Sequence, residues 1–400
     1  MKKQTKNQNL PKGWRKMKLG EMLSLIIDHR GKTPKKLGGR WSINGISALS
    51  AKNIKAGQIV NKKDIKFVSE ELYAKWMPEK LETGDILMTS EAPLGELLYL
   101  KEKVDYCLSQ RLFGLRTDKT LLNSKFLYYY LQSPRGRHEL IRRISGTAAE
   151  GIRQAELRQL EVIFPKDISE QKRIASILSA FDDKIELNNK INQTLEQIAQ
   201  AIFKEWFVKS EKLGGEIKNI EDIFIFEKGI EPGSKYYSEV KKEGYIPFYR
   251  VRDLDKPVGV DVYVPKEITK DKICQENDVL LSLDATIGRV KIGCNGSFSS
   301  GIRKVYSKDG FVKNSFIYFW LKTPYVQNTI LEHASGTTIM HAGQSIKYLQ
   351  FYFNEKIVEK IQTKIDPIFN KILHMQKENQ KLAELRDLLL PKLMSGEIRV

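Results

Sequence analysis

FLYYYLQSPRGRHELIRRISGT (residues 126–147) returns, without a gap, as FIYFWLKTPYVQNTILEHASGT (residues 316–337), an offset of 190 residues. GDILMTSEAPLG (84–95) returns as NDVLLSLDATIG (277–288), and NKINQTLEQI (189–198) as QKENQKLAEL (376–385), at offsets of 193 and 187. Three blocks in one order at nearly one offset identify an internal duplication. The offset is far longer than the ~20–50 residues of a solenoid unit, so each copy is the size of a domain. Whatever one copy binds, the other is expected to bind in a variant form.

A chain of 400 residues is expected to fold as two or three domains. Lys and Arg number 67 against 49 Asp and Glu, a net charge of +18. A positive field of this size favours a polyanion such as nucleic acid. The basic residues are spread through both copies rather than gathered in one amphipathic helix, which disfavours a membrane surface. Three cysteines, Cys107, Cys274 and Cys294, form no CxxC pair. That count excludes a disulfide framework and a Cys-rich zinc site. The opening MKKQTKNQNLPKGW has no apolar core of a signal peptide. No run approaches the ~18 apolar residues of a membrane span, so a cytoplasmic location is expected.

Each copy begins with a mixed, turn-rich part. Short apolar runs at 85–88, 97–100 and 279–283 lie between Gly, Pro, Asn and Asp, the pattern of strands and tight turns. A helix follows over 124–133 and over 314–323, each ended by a proline, Pro134 or Pro324. Then the pattern changes. From 169 to about 208 there is neither Gly nor Pro. Apolar residues recur at alternating steps of four and three, at Ile174, Leu178, Phe181 and Ile185, then at Leu195, Ala199 and Ile202. The matching seam in the second copy is Ile361, Ile365, Ile368, Ile372, Met375, Leu382 and Leu389. Asn192 aligns with Asn379, and both fall on the seam, where a polar residue sets register at a cost in stability. About 40 helical residues span ~60 Å. Neither helix can bury such a stripe alone, so the two are expected to pack on each other. The expected boundaries are 1–165 and 209–354 for the mixed domains, and 166–208 and 355–400 for the helices.

No catalytic constellation stands out. RGKT (30–33) resembles the end of a phosphate-binding loop, but Ile26 stands where its first glycine belongs. DPIF (366–369) resembles the signature with which amino-methyltransferases grip a base. It lies inside the heptad pattern, with no glycine-rich cofactor loop before it. The five histidines show no metal-ligand spacing, and no metal is expected. These absences point to a binding protein.

Four loop segments place hydrogen-bond donors at corresponding points of the copies. The early loop HRGKTPKK (29–36) offers Arg30 and Lys32. SALSAKNI (47–54) offers Lys52 and Asn53, against Arg250 and Arg252 in FYRVRDL (248–254). QRLFGLR (110–116) offers Arg111, against Arg303 and Lys304 in SGIRKVY (300–306). The loop after each SGT offers Arg153 and Gln154, or His341, Gln344 and Lys347. Such residues on loops read base edges and phosphates. The shared SGT supplies Thr147 and Thr337, each able to bond backbone or phosphate, and the copies diverge most just beyond it. That is the expected result of keeping a scaffold while varying a reader.

These residues resemble the specificity subunit of a type I restriction–modification enzyme, over essentially the whole chain. LPKGWRKMKLGEM (10–22) resembles that family's opening, and IPFYRVRDL (246–254) its early strand motif. SEQKRIASILSAFDDKIELNNKINQTLEQIAQAIFKEWF (169–207) resembles its central conserved helix, and LAELRDLLLPKLMSGEIRV (382–400) its C-terminal conserved segment. The second copy lacks a clear LPxGW, with GGEIKNIEDIF (214–224) in its place. The resemblance implies an α+β architecture, with two similar mixed α/β target-recognition domains on double-stranded DNA. Two long antiparallel coiled-coil helices join and separate them in a pseudo-twofold arrangement. It further implies a subunit without catalysis or cofactor of its own, reading a split, asymmetric target. Two methyltransferase (modification) subunits would carry S-adenosylmethionine, and restriction subunits would translocate and cleave DNA with ATP and Mg. The competing readings are a fused tandem DNA methyltransferase or nuclease with its own catalytic site, and a coiled-coil adaptor that touches no DNA.

Overall fold

The computed structural model describes residues 10–144, 151–212 (backbone alone over 206–212), 215–256, 259–336 and 340–400. The chain forms two compact units, one built from residues up to 181 together with 385–400, the other from 182–384. Two long helices, the central Ile168–Lys212 and the distal Glu355–Ser395, each contribute to both units.

Within the first unit, four antiparallel strands lie in the order Leu23–Asp28, Leu112–Thr117, Ile86–Thr89, Leu97–Tyr99. The second unit repeats that order with Phe224–Lys228, Ile302–Ser307, Val279–Ser282 and Val290–Lys291. A smaller sheet accompanies each. Ile46–Leu49 runs parallel to Tyr106–Leu108 in one, and Tyr245–Tyr249 parallel to Gly296–Phe298 in the other. A two-stranded ribbon then leads to each long helix, pairing Trp14–Lys18 with Glu161–Pro165 and Glu216–Asn219 with Gln350–Phe353. The duplication read from the sequence is therefore a duplication of topology.

The apolar helix after the sheet runs Ser124–Gln132 in one copy and Asn314–Leu321 in the other. The prolines that follow do not end the helical region. Pro134 and Pro324 open second helices, Pro134–Ile141 and Pro324–Glu332. Proline suits the first turn because the N–H it lacks would have no partner there. Ser133 and Thr323 cap these helices, each hydroxyl accepting from the N–H three residues on.

The helix seams are buried largely as the spacing predicts. Ile174 and Leu178 pack in the first unit with Leu390, Leu393 and Met394. In the second unit Leu195 and Ala199 pack with Ile361, Ile365 and Ile372. Phe181, Ile185 and Leu382 are half-buried and Met375 is buried. At three points the contact shifts by one residue. Phe203, Phe369 and Leu390 are buried where Ile202, Ile368 and Leu389 are only partly covered. A helix of 3.6 residues per turn drifts against a strict seven-residue repeat. The seam asparagine of the distal helix is engaged by the central one: Asn379 Oδ1 accepts from Asn188 Nδ2 at 2.8 Å and its Nδ2 donates to Asn189 Oδ1 at 2.9 Å.

A buried glutamine on each long helix fixes the mixed domain to it. Gln171 Oε1 accepts from the Asn123 backbone at 2.7 Å, while Nε2 donates to the carbonyls of Leu121 and Pro165. Gln362 Oε1 accepts from the Lys313 backbone at 2.6 Å, and Nε2 donates to Phe311. Both glutamines thus bind the turn just before the apolar helix, at equivalent places of the two copies. Removing one strands a buried N–H, a loss of ~1–3 kcal/mol. Gln362→Leu is expected to speed backbone hydrogen exchange over 313–321 and leave 123–132 unchanged. Gln171→Leu is expected to do the reverse.

Candidate nucleic-acid interface

The segments singled out above lie on a common scaffold in both units. Thr89 Oγ1 donates to the Pro93 carbonyl and accepts from the Glu96 N–H. Ser282 Oγ donates to the Thr286 carbonyl and accepts from Arg289 in the same way. Backbone bonds Ser90 to Arg111 and Ile152 to Ser90 recur as Leu283 to Gly301 and Ala342 to Leu283. Each domain thus holds the post-strand turn, the 111/301 corner and the loop after SGT in one cluster.

On this scaffold the first unit places a short 3-10 turn, Ala51–Asn53. Asn53 does not reach solvent. It is 1% exposed, and its Oδ1 accepts from the Ser50 N–H at 3.0 Å and the Ser50 hydroxyl at 2.8 Å. Its amide holds the turn, so its placement among direct contacts is corrected. Arg30 is likewise turned inward. It grips Asp28 through two 2.8 Å bonds, donates to the Ile152 carbonyl and lies 4.3 Å from the Phe113 ring centre. Lys32 donates to the Trp76 carbonyl at 2.8 Å. These two residues organise the loop, and its exposed surface comes from others. Lys52 and Arg111 are exposed, Lys52 standing 3.9 Å from Asp64 and Arg111 2.8 Å from Glu91. Arg111 has a left-handed backbone with φ of 65°, uncommon for a residue with a Cβ. Arg153 is exposed at the start of the short helix Gln154–Arg158, which Gln154 opens. Thr147 lies outside the described residues, as does Thr337. Lys32, Lys52, Asn53 and Arg111 converge on a cleft of about 520 Å³ that Trp41 also lines.

In the second unit the matching turn, Val251–Asp255, is held by charge. Asp253 is fully buried, bonded by the Arg250 N–H at 3.0 Å, the Arg250 guanidinium at 3.1 Å and the Lys256 ammonium at 2.9 Å. Burial alone would raise its carboxyl, but the Arg250 and Lys256 bonds outweigh it and hold the group below the ordinary carboxylate value. Lys291 donates to the carbonyls of Asp253, Leu254 and Lys256, capping the turn, and burial lowers its ammonium. Arg289 donates to the Val251 carbonyl at 3.0 Å. Arg250 also reaches Asp261, and Arg252 stands exposed 3.7 Å from the same carboxylate.

Lys304 is engaged internally, with Glu227 at 2.9 Å and the Ile273 carbonyl at 2.9 Å. It is corrected from contact residue to framework. Arg303 donates to the Ser300 carbonyl at 2.6 Å, and burial lowers its guanidinium against the opposing pull of Asp284. His341 pairs with Asp284 at 2.7 Å, as Arg111 pairs with the equivalent Glu91. Gln344 and Lys347 are exposed on Gly343–Tyr348. Two features escaped the sequence reading. The Asp253–Lys291 network joins residues far apart in the chain, and Trp41 carries no periodic signal. The exposed set is therefore Lys52, Arg111, Arg153, Arg252, His341, Gln344 and Lys347.

The DPIF segment has a structural use. Asp366, inside the distal helix, accepts from the Ser315 hydroxyl at 2.5 Å and pairs with Lys313 at 2.7 Å, at the start of Asn314–Leu321. Among the described residues no cluster of three or more His, Cys, Asp or Glu could hold a metal. No described helix is long and apolar enough to cross a membrane.

The family model described as the type I restriction modification DNA specificity domain matches residues 11–197 and 214–384. The chain belongs to this family: it is a DNA-binding specificity subunit with two repeated recognition domains. It is 29% identical over 348 residues to the type I restriction enzyme MjaIX specificity subunit of Methanocaldococcus jannaschii, covering 79% of this chain and 78% of that one. It is 27% identical to the putative MjaX specificity subunit of the same organism, covering 100% and 96%. The crystal structure of the S subunit from Mycoplasma genitalium superposes with a TM-score of 0.57 at 19% identity over 98% of each chain, a likeness of fold. The mixed helix-and-strand class with long connecting helices agrees with the sequence reading.

Because the Asp253 carboxyl is depressed in the folded chain, its stabilisation is present above the unfolded value of about 3.9 and is lost as pH falls through the folded value. Asp253→Asn leaves Arg250 and Lys256 without their buried counter-charge. It is expected to cost ~3–5 kcal/mol at pH 7 and progressively less below pH 4, read from urea midpoints at both pH values.

Proposed function

We propose that this chain is the sequence-reading subunit of a type I restriction–modification complex, and that its two recognition domains each read one half of a split, asymmetric DNA target. The observation that carries this is a shared scaffold with different contact residues. The Thr89 and Ser282 turns coincide, while Lys52 and Arg111 in one unit give way to Arg252 and His341 in the other. Equal scaffolds present two readers in like fashion, and unequal side chains give two different half-sites. The net charge of +18 supplies attraction to phosphate that does not depend on sequence.

In this reading the chain performs no chemistry. Methyltransferase subunits bring S-adenosylmethionine, and restriction subunits bring ATP and Mg. Docking of two like partners is supported by exposed apolar residues that recur at equivalent positions. Ile141 and Leu331 are 63% and 56% exposed on the second helices of the two copies. Ile198 and Leu385 are 45% and 48% exposed on the two long helices. A patch that occurs twice fits a partner that binds twice. Ile198→Asp is expected to lower the methyltransferase stoichiometry from two to one, and Ile198→Asp with Leu385→Asp to zero, read by light scattering of the purified complex.

Methylome sequencing of a host expressing the system tests the whole reading. A bipartite modified motif is expected. Exchange of residues 12–165 for the same domain of a relative should change one half of it and leave the other. Methyl transfer by the purified chain alone, or a change of both halves together, would overturn it. Binding to duplex DNA should weaken with salt, log K falling by ~0.9 per neutralised phosphate against log salt.

A further inference from the structure

The two domains share a scaffold but differ in what stands beside the matching turn. In the first unit there is an open cleft with aromatic walls. Trp76 is buried, its indole N–H donating to the Leu108 carbonyl at 3.1 Å. Trp41 lies against it, ring centres 6.0 Å apart, and is 38% exposed. Trp14, Trp76 and Trp320 are all buried, and the Trp206 side chain is not described. One cation lies over the Trp41 indole and others line the cleft. Lys66 Nζ is 5.1 Å from the Trp41 ring centre, and Lys52 and Arg111 line the same cleft. Gln110 is exposed and lines the same cleft, next to Ser109. In the second unit Arg289 and Lys291 instead donate to the carbonyls of the turn, and Gly301 stands where the first unit has Arg111.

We propose that the cleft of the first domain takes one unstacked nucleobase of its half-site, with the ring against Trp41 and the base edge toward Gln110. This deepens the DNA-reading function and rests on it. The volume of about 520 Å³ lies within the ~300–1,000 Å³ of ligand pockets. An aromatic face beside lysines is the combination that holds an unpaired base and its phosphates. A base out of the stack is read by stacking and by its pairing edge, at an unstacking cost least for weakly paired steps. In the second domain the matching turn is packed with charge, and the proposal assigns it no such base.

The test uses the purified full chain alone, because a methyltransferase subunit extrudes the base it modifies and would give its own signal in each half-site, and it uses the motif found by methylome sequencing. Duplexes carry a fluorescent base analogue, 2-aminopurine for purines or pyrrolo-deoxycytidine for cytosines, at each position in turn. Thymines are probed with permanganate. Binding is expected to raise fluorescence or reactivity at one position of the first half-site and at none of the second. Trp41→Ala should abolish that signal and weaken target binding about 5- to 150-fold, whereas Trp41→Phe should keep most of both. The wild-type signal does not depend on how the alanine variant folds. Specific binding with no enhanced position in the first half-site, or with affinity unchanged in Trp41→Ala, would overturn the proposal alone. Binding without sequence preference would overturn the DNA-reading function and this proposal with it.

Discussion

Each recognition domain is joined to its long helix through one buried amide side chain. Gln171 and Gln362 are uncharged, buried and bonded at both ends, each tying a long helix to the loop before the apolar helix of its domain. A charged residue could not serve at such a depth without a counter-ion, and an apolar one would leave the Asn123 or Lys313 N–H orphaned. Aromatic packing then fills in around the clamp. Phe203, Phe316, Phe351 and Trp320 meet in edge and tilted contacts in the second unit, and in the first Phe126 meets Trp14 edge-on and stacks with Tyr130. The recognition loops inherit their orientation from this joint.

The duplicated scaffold also separates what a domain must keep from what it can vary. The hydroxyl of Thr89 or Ser282 and the backbone bonds around it are common to both copies. The turn beside it is braced by a neutral amide, Asn53, in one copy and by an ionised carboxylate, Asp253, in the other. Both residues bond the N–H three positions before them. The carboxylate, being charged and buried, draws Arg250 and Lys256 into its shell, and Lys291 bonds the turn's carbonyls beside it. One substitution at the cap thereby reorganises the electrostatics of a whole reading surface.

The fold was largely legible because its signals are periodic or repeated. Heptad steps over Ile174, Leu178 and Ile185 and the duplicated 126–147 block carry their meaning in spacing alone. The misplacements follow from geometry that spacing does not encode. Phe203, Phe369 and Leu390 take the burial that the spacing gives to Ile202, Ile368 and Leu389, because the helix drifts against a seven-residue repeat. Prolines 134 and 324 read as stops because the following helices begin on them. The candidate interface was legible only by residue type and loop position. Sequence could not tell Arg30 and Lys304, whose donors are used within the domain, from Arg153 and Arg252, which face solvent. That distinction depends on Asp28, Ile152, Glu227 and Ile273, which folding alone brings near.

The charge network of the second domain has an evolutionary side. Arg250, Arg252, Lys256 and Asp261 share partners, so a change at one alters the energy of the others. New specificity there has to arrive in concerted steps, through intermediates that carry an unbalanced buried charge. In the first domain Lys52 stands at the surface with only a distant carboxylate for company, and can be exchanged one residue at a time. The two halves of one molecule thus sit on landscapes of different ruggedness. Drift in target sequence should accumulate faster through the amino-terminal reader, while the carboxyl-terminal reader moves seldom and by larger jumps.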